Sequence, residues 1–578
     1  MIKTKVIKIK KRKPMRNIDP QKALQRKQRL GIRAIFQRIG FDRVNSDGIE
    51  FTFDGRTGEI DDIYALQNVL VISEYTVGKP DMGHIAKKSI LYSKIIAQSA
   101  LWIREYGMVN LDFGEQIKKS EFQPEEFQVF ICYASLQGVS EETENSFRTY
   151  RFLDGTRSRY FDALSKTIHQ SARHEFFNYL GVELARLGTR VHDSSEKSRD
   201  FPGYVLPEVN SGYPSGFKVV SFYADPATLL EMSYVLRKDS WRDDDGLYQR
   251  ILIKGKISSM RRYLAETKRV FVNNIVVTLP NEALINEPGT RKNIDNAKLL
   301  KVQPVTISIP LQPNMIGLID GQHRVFCYHE STKDLHDKEI SKQRTRQNLL
   351  VTGLVYPALW TKSQRSEFEA KLFLEINDTQ ARAKTVLKHS IEVLLKPFST
   401  IAIAKEVITK LARSGPLASL LQTNFFDPPD RIKTSSIVSY GLQPLVKTDG
   451  TDCLFAAWSA PEKGLLMDRA ADVTRRKELL SEYIDFCAKE INQFLIDSKL
   501  AIGSNRWKVS TAKDRQLLST TTINGFLVCI RRLIEAKSPR GTAVYSKRMV
   551  PLATLNFENY KSSAWRALGD KIFDDCFT

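Results

Sequence analysis

The sequence has no paired cysteines, no long apolar run and no phosphate-loop signature, and each absence removes a class of function. Its six cysteines stand singly at 132, 327, 453, 487, 529 and 576, with no CxxC spacing. In a chain of 578 residues that pattern argues against a disulfide framework and for a reducing compartment. No stretch approaches the roughly 18–20 apolar residues that span a bilayer. The longest candidate, LLVTGLVYPALW from Leu349, contains Gly353 and Pro357 and reads as a buried strand. The opening MIKTKVIKIKKRKP lacks the apolar segment of a secretory signal. Neither a GxxxxGK[ST] loop nor a GxGxxG after a strand occurs. These features predict a cytoplasmic protein with no membrane partner.

Acids are also scarce at the start. From Met1 to Arg33 there are 13 Lys and Arg against one acid, Asp19. That local excess of 12 leaves only +9 of the net +21 for the rest of the chain. Basicity gathered at one end points to an arm that contacts a polyanion, most often nucleic acid; a solvated basic tail is the plainer alternative. No aromatics are interleaved with these cations, so a single-strand stacking platform is not indicated there. Composition is otherwise globular, with 42% hydrophobic and 26% charged residues, and the length favours two to four domains. A Pro- and Gly-rich stretch at 201–216 and a weaker break near 400 divide the chain into 1–205, 215–400 and 401–578.

In the first block, residues 21–39 carry Ile32, Ile35, Phe36 and Ile39 at helical spacing. Three strand-like segments follow, IEFTF, GEIDDIYAL and NVLVISE. They project three acids, Glu59, Asp61 and Glu74, from neighbouring strands. Carboxylates so placed can converge on Mg²⁺, a hard cation that takes oxygen ligands.

This stretch resembles the PD-(D/E)xK restriction-endonuclease-like superfamily in its variant form, G-E-x-D, a hairpin, then E-x-K. Gly58-Glu59-Ile60-Asp61 precedes Glu74, and the flanking segments follow the αβββαβ order over about 35–135. The resemblance implies Asp61 and Glu74 as ligands of Mg²⁺ or Mn²⁺ and Glu59 as a third catalytic acid. It also implies a lysine where this chain has Thr76; Lys79, Lys87 or Lys88 would then supply the ammonium. Loss of that lysine leaves open a retained nuclease fold without cleavage.

In the second block, IDGQHR at 319–324 turns at Gly321 from an apolar run into polar residues. A helix beginning at Gln322 would offer free N–H groups, and Arg324 a planar fork, to an anion. Asp320 could accept from the turn and His323 could donate or transfer a proton. A structural Arg324–Asp320 or Arg324–Glu330 strut is the alternative, and a zinc site from His323, Cys327 and His329 is disfavoured by their spacing. With YQR at 248–250, LP at 279–280 and FLEINDTQARAKTVL at 373–387, the block is similar to the DGQHR-domain family of the ParB/sulfiredoxin-like superfamily. That similarity implies phosphates of a nucleotide held by Asp320, Gly321, Gln322, His323 and Arg324. Gln249, Arg250, Asn377 and Gln380 would form the opposite wall.

The third block reads as helices, with loops at YGLQPLVKTDGTD and AKSPRGTAVYSKR, and shows no chemistry. The expected whole is α+β: a restriction-endonuclease-like αβ core, a ParB-like α+β domain and a helical C-terminal region. The expected partners are DNA and other proteins of a DNA-modification or anti-phage system, with self-association left open. The function expected is a DNA nuclease gated by nucleotide or by DNA modification. A non-cleaving DndB-like regulator and a DNA-stimulated nucleoside triphosphatase remain as alternatives.

Overall fold

A computed structural model of the chain describes residues 19–78, 80, 82–183, 186–188, 198–237, 251–295, 299–378, 395–424, 426–510, 516–561 and 563–578. It is a mixed α and β protein in two compact units that divide between Gly155 and Thr156. Among the described residues no helix is long and apolar enough to cross a membrane.

The first unit opens with α1 (Pro20–Ile39). Asp19 caps it by accepting from the Gln21 N–H, Pro20 suits the first turn, and Gly40 ends it at a φ of 101°. The expected apolar stripe of Ile32, Ile35, Phe36 and Ile39 is buried. Then come β1 (Asp42–Asn45), β2 (Glu50–Phe53), β3 (Arg56–Glu59), β4 (Asp62–Leu66) and β5 (Val69–Thr76). Helices α2 (Met82–Ala97), α3 (Ser99–Val109) and α4 (Leu111–Ser120) lead to β6 (Gln128–Ser135), α5 (Glu141–Ser146) and β7 (Tyr150–Leu153).

These strands form a five-stranded sheet in the order β1-β4-β5-β6-β7. β1, β4 and β5 run as an antiparallel meander, while β6 lies parallel to β5, and β7 to β6. β5 occupies the middle, and its first six residues are all buried, as an interior strand covered on both faces requires. Segment GEIDDIYAL, expected as one strand, is broken at Ile60-Asp61. Its first half joins IEFTF in a separate β2–β3 hairpin. The buried Ile60 anchors that corner to the core.

The second unit begins within α6 (Gly155–Ile168), from Thr156 on, followed by α7 (Arg173–Leu180). It continues through β8 (Ser198–Leu206), α8 (Glu208–Ser211), β9 (Lys218–Ala224), α9 (Pro226–Met232), β10 (Ser233–Tyr234), α10 (Lys254–Thr267), β11 (Ile275–Leu279) and β12 (Leu284–Asn286). After these come β13 (Gln303–Pro310), β14 (Ile316–Asp320), α11 (Gln322–Phe326), α12 (Asp337–Arg344), β15 (Leu349–Val355) and α13 (Lys362–Asp378). The eight-stranded sheet has the order β10-β14-β11-β15-β9-β8-β13-β12. β15 is the buried strand expected at LLVTGLV.

The Pro- and Gly-rich stretch at 201–216 is not a boundary: its first half is β8, an interior strand between β9 and β13. Pro202 lies in register with Thr306 of β13, and pairing with β9 starts one residue later, at Gly203. The break expected near 400 likewise does not divide the unit. The helical region rests on its own core, including Val407, Leu445, Tyr483, Ile491, Phe526 and Leu568. YGLQPLV, expected as a loop, is helical over Ile437–Leu442 and Gln443–Val446, because Ile437, Leu442, Leu445 and Val446 all bury.

Candidate functional site

Register builds the first site. Asp62 pairs with Ser73 across the β4–β5 ladder, so Asp61 and Glu74 continue that pairing as neighbours where β4 begins. The Tyr75 N–H donates to Asp61 Oδ2 at 3.1 Å and fixes the bend that carries the aspartate. Glu74 is 3% exposed, and both of its oxygens are engaged. Lys88 Nζ donates to one, and the Tyr92 hydroxyl to the other. Lys88 and Tyr92 stand four positions apart on α2, hence on one face.

Burial pushes the Glu74 carboxyl above its ordinary range; Lys88 opposes that and Asp61 adds to it. Burial likewise raises Asp61, against the pull of Arg29 and Lys88. Glu74 therefore feels Asp61, and both feel Lys88. Of the candidate lysines, Lys88 is the one this fold brings to the acids. Lys87 is exposed, and Lys79 lies outside the described residues.

Three features of this site were not read from the sequence. Arg29 on α1 donates to Asp61 at 2.5 Å and to Asp47 at 3.1 Å, and its guanidinium lies 5.2 Å from the centre of the Tyr75 ring. Arg33 and Arg43 converge on Asp62, which is fully buried and also accepts from the Tyr75 hydroxyl. Gln28 Nε2 donates to the Thr76 and Ala134 carbonyls, tying α1 across β5 and β6. Two of the cations counted toward a basic arm, Arg29 and Arg33, are thus bound to acids of their own unit. Tyr92 could have been found from its helical spacing to Lys88; the pairings of Arg29 with Asp61 and Arg33 with Asp62 could not, since they span 32 and 29 positions.

Glu59 does not join the pair. It ends β3, is exposed, and accepts from the Gly48 N–H at 2.7 Å. Among the described residues no group of three or more His, Cys, Asp or Glu could hold a metal. Asp61 and Glu74 alone offer two hard oxygen donors in a buried setting with mutual repulsion. That donor set fits Mg²⁺, which is commonly bound through one or two carboxylates plus waters and substrate phosphates.

The second site is the 319–324 turn. β14 ends at Asp320, and Gly321 has a φ of 96° in the left-handed region. A Cβ there would lie 2.6 Å from Ile275 Cδ1 and 3.2 Å from an Arg324 nitrogen, so glycine is needed for space as well as conformation. Arg324 folds back over the turn: one terminal nitrogen donates to Asp320 at 2.7 Å and to the Asn274 carbonyl at 2.8 Å. Its Nε is buried and has no hydrogen-bond partner among the described residues. Glu330 pairs instead with Arg173. His323 Nε2 accepts from the Ile253 N–H at 3.3 Å. Burial, aided by Lys256, Arg237 and Arg324, lowers its pKa to about 4, so the ring is neutral at pH 7.

Helix α11 has only five residues, a single turn, so the dipole expected at its start is small. The turn is held from behind instead. Arg261 on α10, itself buried, pairs with Asp334 and Asp337 and donates to the Cys327 and His329 carbonyls. His329 is buried beside it, and no zinc cluster forms with His323 and Cys327 among the described residues. Gln249, Arg250 and Gln380 lie outside the described residues, as does the side chain of Asn377 at the end of α13.

Comparison of the chain with models of known families, with curated proteins and with solved structures finds no match.

Proposed function

We propose that the first unit is a metal-dependent DNA phosphodiesterase of the restriction-endonuclease-like kind. The second, on this reading, carries a DGQHR-type phosphate turn that gates it. The observation that carries the proposal is the meeting of Asp61, Glu74 and Lys88. It occurs in the order helix, three antiparallel strands, helix, parallel strand. Asp61 and Glu74 would hold Mg²⁺ or Mn²⁺, which supplies a lowered water pKa and charge stabilisation at the phosphodiester. Lys88, donating to Glu74, is placed to orient the attacking water and to meet charge on the phosphate oxygens. Tyr92 keeps Glu74 facing Lys88. The lysine absent at position 76 is thus replaced from α2.

Cleavage of plasmid DNA by the whole chain with Mg²⁺ or Mn²⁺, with and without nucleoside triphosphates, tests this. Glu74→Ala should abolish cleavage and leave DNA binding intact. Cleavage retained in that variant removes the assignment.

A second reading, a non-cleaving DNA-binding regulator, is favoured by one observation: Arg29 and Lys88 already neutralise both carboxylates. It predicts salt-sensitive DNA binding with no cleavage of modified or unmodified DNA. A third, a DNA-stimulated triphosphatase, rests on the turn and on the buried Arg324 Nε. It predicts DNA-dependent phosphate release that Arg324→Ala removes.

A further inference from the structure

Two adjacent aspartates of the first unit are treated differently. Asp62 is fully buried and held by Arg33, Arg43 and the Tyr75 hydroxyl. The Asp61 side chain is 23% exposed and is held by one arginine and one backbone N–H. The Arg29 side chain is itself 27% exposed, so solvent and ligands reach this pair. Breaking the first arrangement would strand a buried charge, whereas the second can exchange partners.

Spacing along α1 adds an independent observation. Lys22, Arg26, Arg29 and Arg33 follow one another at intervals of four, three and four, which puts them in one stripe along the helix. The stripe starts with the exposed Lys22 and Arg26, reaches Asp61 at Arg29, and ends at Asp62 with Arg33. A row of cations that leads from solvent to a carboxylate suits a polyanionic backbone, whose phosphates compete for the same guanidinium fork.

We propose that Arg29 is an exchangeable counter-ion that closes Asp61 to a divalent cation until a DNA phosphate takes its guanidinium. DNA binding and metal binding would then be coupled, each favouring the other by the same factor. The inference rests on the nuclease reading of Asp61 and Glu74. In the exchange no covalent bond changes: the guanidinium leaves one oxyanion for another, and the freed carboxylate takes the cation.

The test is Mn²⁺ binding by the whole chain, read from loss of the free-ion electron paramagnetic resonance signal, with and without a short DNA duplex. For the wild type, affinity should rise at least tenfold with the duplex. Arg29→Gln should bind Mn²⁺ at least tenfold more tightly than wild type without DNA and respond little to it. Asp61→Asn should bind weakly in both conditions. Arg29→Lys, which keeps the charge but loses the fork that spans Asp47 and Asp61, should give an intermediate gain and keeps the test open if Arg29→Gln fails to fold. If Mn²⁺ binds through Asp61 but neither variant gains affinity, the counter-ion role is overturned while the metal site stands. If Asp61→Asn and wild type bind Mn²⁺ alike, the metal site itself falls, and the inference with it.

Discussion

Lys88 on α2 donates to Glu74 on β5, fourteen positions earlier in the chain. This pair places an ammonium beside the more deeply buried of the two acids, and Lys87 next to it is exposed. On the proposed nuclease reading, Lys88→Ala should lower metal-dependent DNA cleavage about 100-fold or more, in the range of a lost general acid–base or charge-stabilising group. Lys87→Ala should leave it within about twofold. Parallel plasmid-nicking assays separate the two.

Asp62 has a structural part. Arg33, Arg43 and the Tyr75 hydroxyl all depend on it. Asp62→Ala should destabilise the first unit by about 1–3 kcal/mol, less than for a fully buried pair, because Arg33 and Arg43 are partly exposed and regain water. Urea unfolding followed by circular dichroism would measure it; a loss below about 1 kcal/mol would contradict the role.

Gly321→Ala should weaken the 319–324 turn for two reasons. The new Cβ meets Ile275, and the φ of 96° is poorly tolerated by an L-residue. A destabilisation of about 1–2 kcal/mol follows from the backbone conformation alone, before the contact is counted. Thermal unfolding checks the size. Arg324→Lys, which keeps charge but loses the fork, should uncouple Asp320 from the Asn274 carbonyl with a smaller effect on stability.

The second unit should lose stability in mild acid. Burial lowers His323 to about 4 and His174 to about 3, from an ordinary value of 6.5. His329 is lowered too, by burial and by Arg261. The unfolded chain therefore binds more protons than the folded one below pH 6.5, and stability falls as pH drops from about 6.5 toward 4. Melting temperatures at pH 7.5, 5.5 and 4.5 should decline in that order, and His174→Gln should flatten the decline.

Periodicity made much of the fold legible. The α1 stripe and the strands β5 and β15 were readable, because each is a local pattern of burial. The spacing of Asp61 and Glu74 was readable as well, since a hairpin fixes register over a short loop. Long-range partners were not. Arg29 and Arg33 looked like members of a basic arm, and nothing local shows that Asp61 and Asp62 receive them. Glu59 looked equivalent to Asp61 because a single strand through Ile60 would carry both; a buried isoleucine bent the chain between them. Proline and glycine at 201–216 looked like a linker because the ladder that accommodates them forms with strands far along the chain.

That last placement has a consequence for how the molecule is made. β8 pairs on one side with β9, which follows almost at once, and on the other with β13, where Ser308 donates to Asp200 across 108 positions. A ribosome delivers β8 long before β13. Through that interval one edge of β8 is open to any other extended chain, and late closure over so long a loop is a slow step. A fragment starting at residue 215 would be worse placed. It would keep β9 and β13 and lose the strand between them, leaving two raw edges where the whole chain has none.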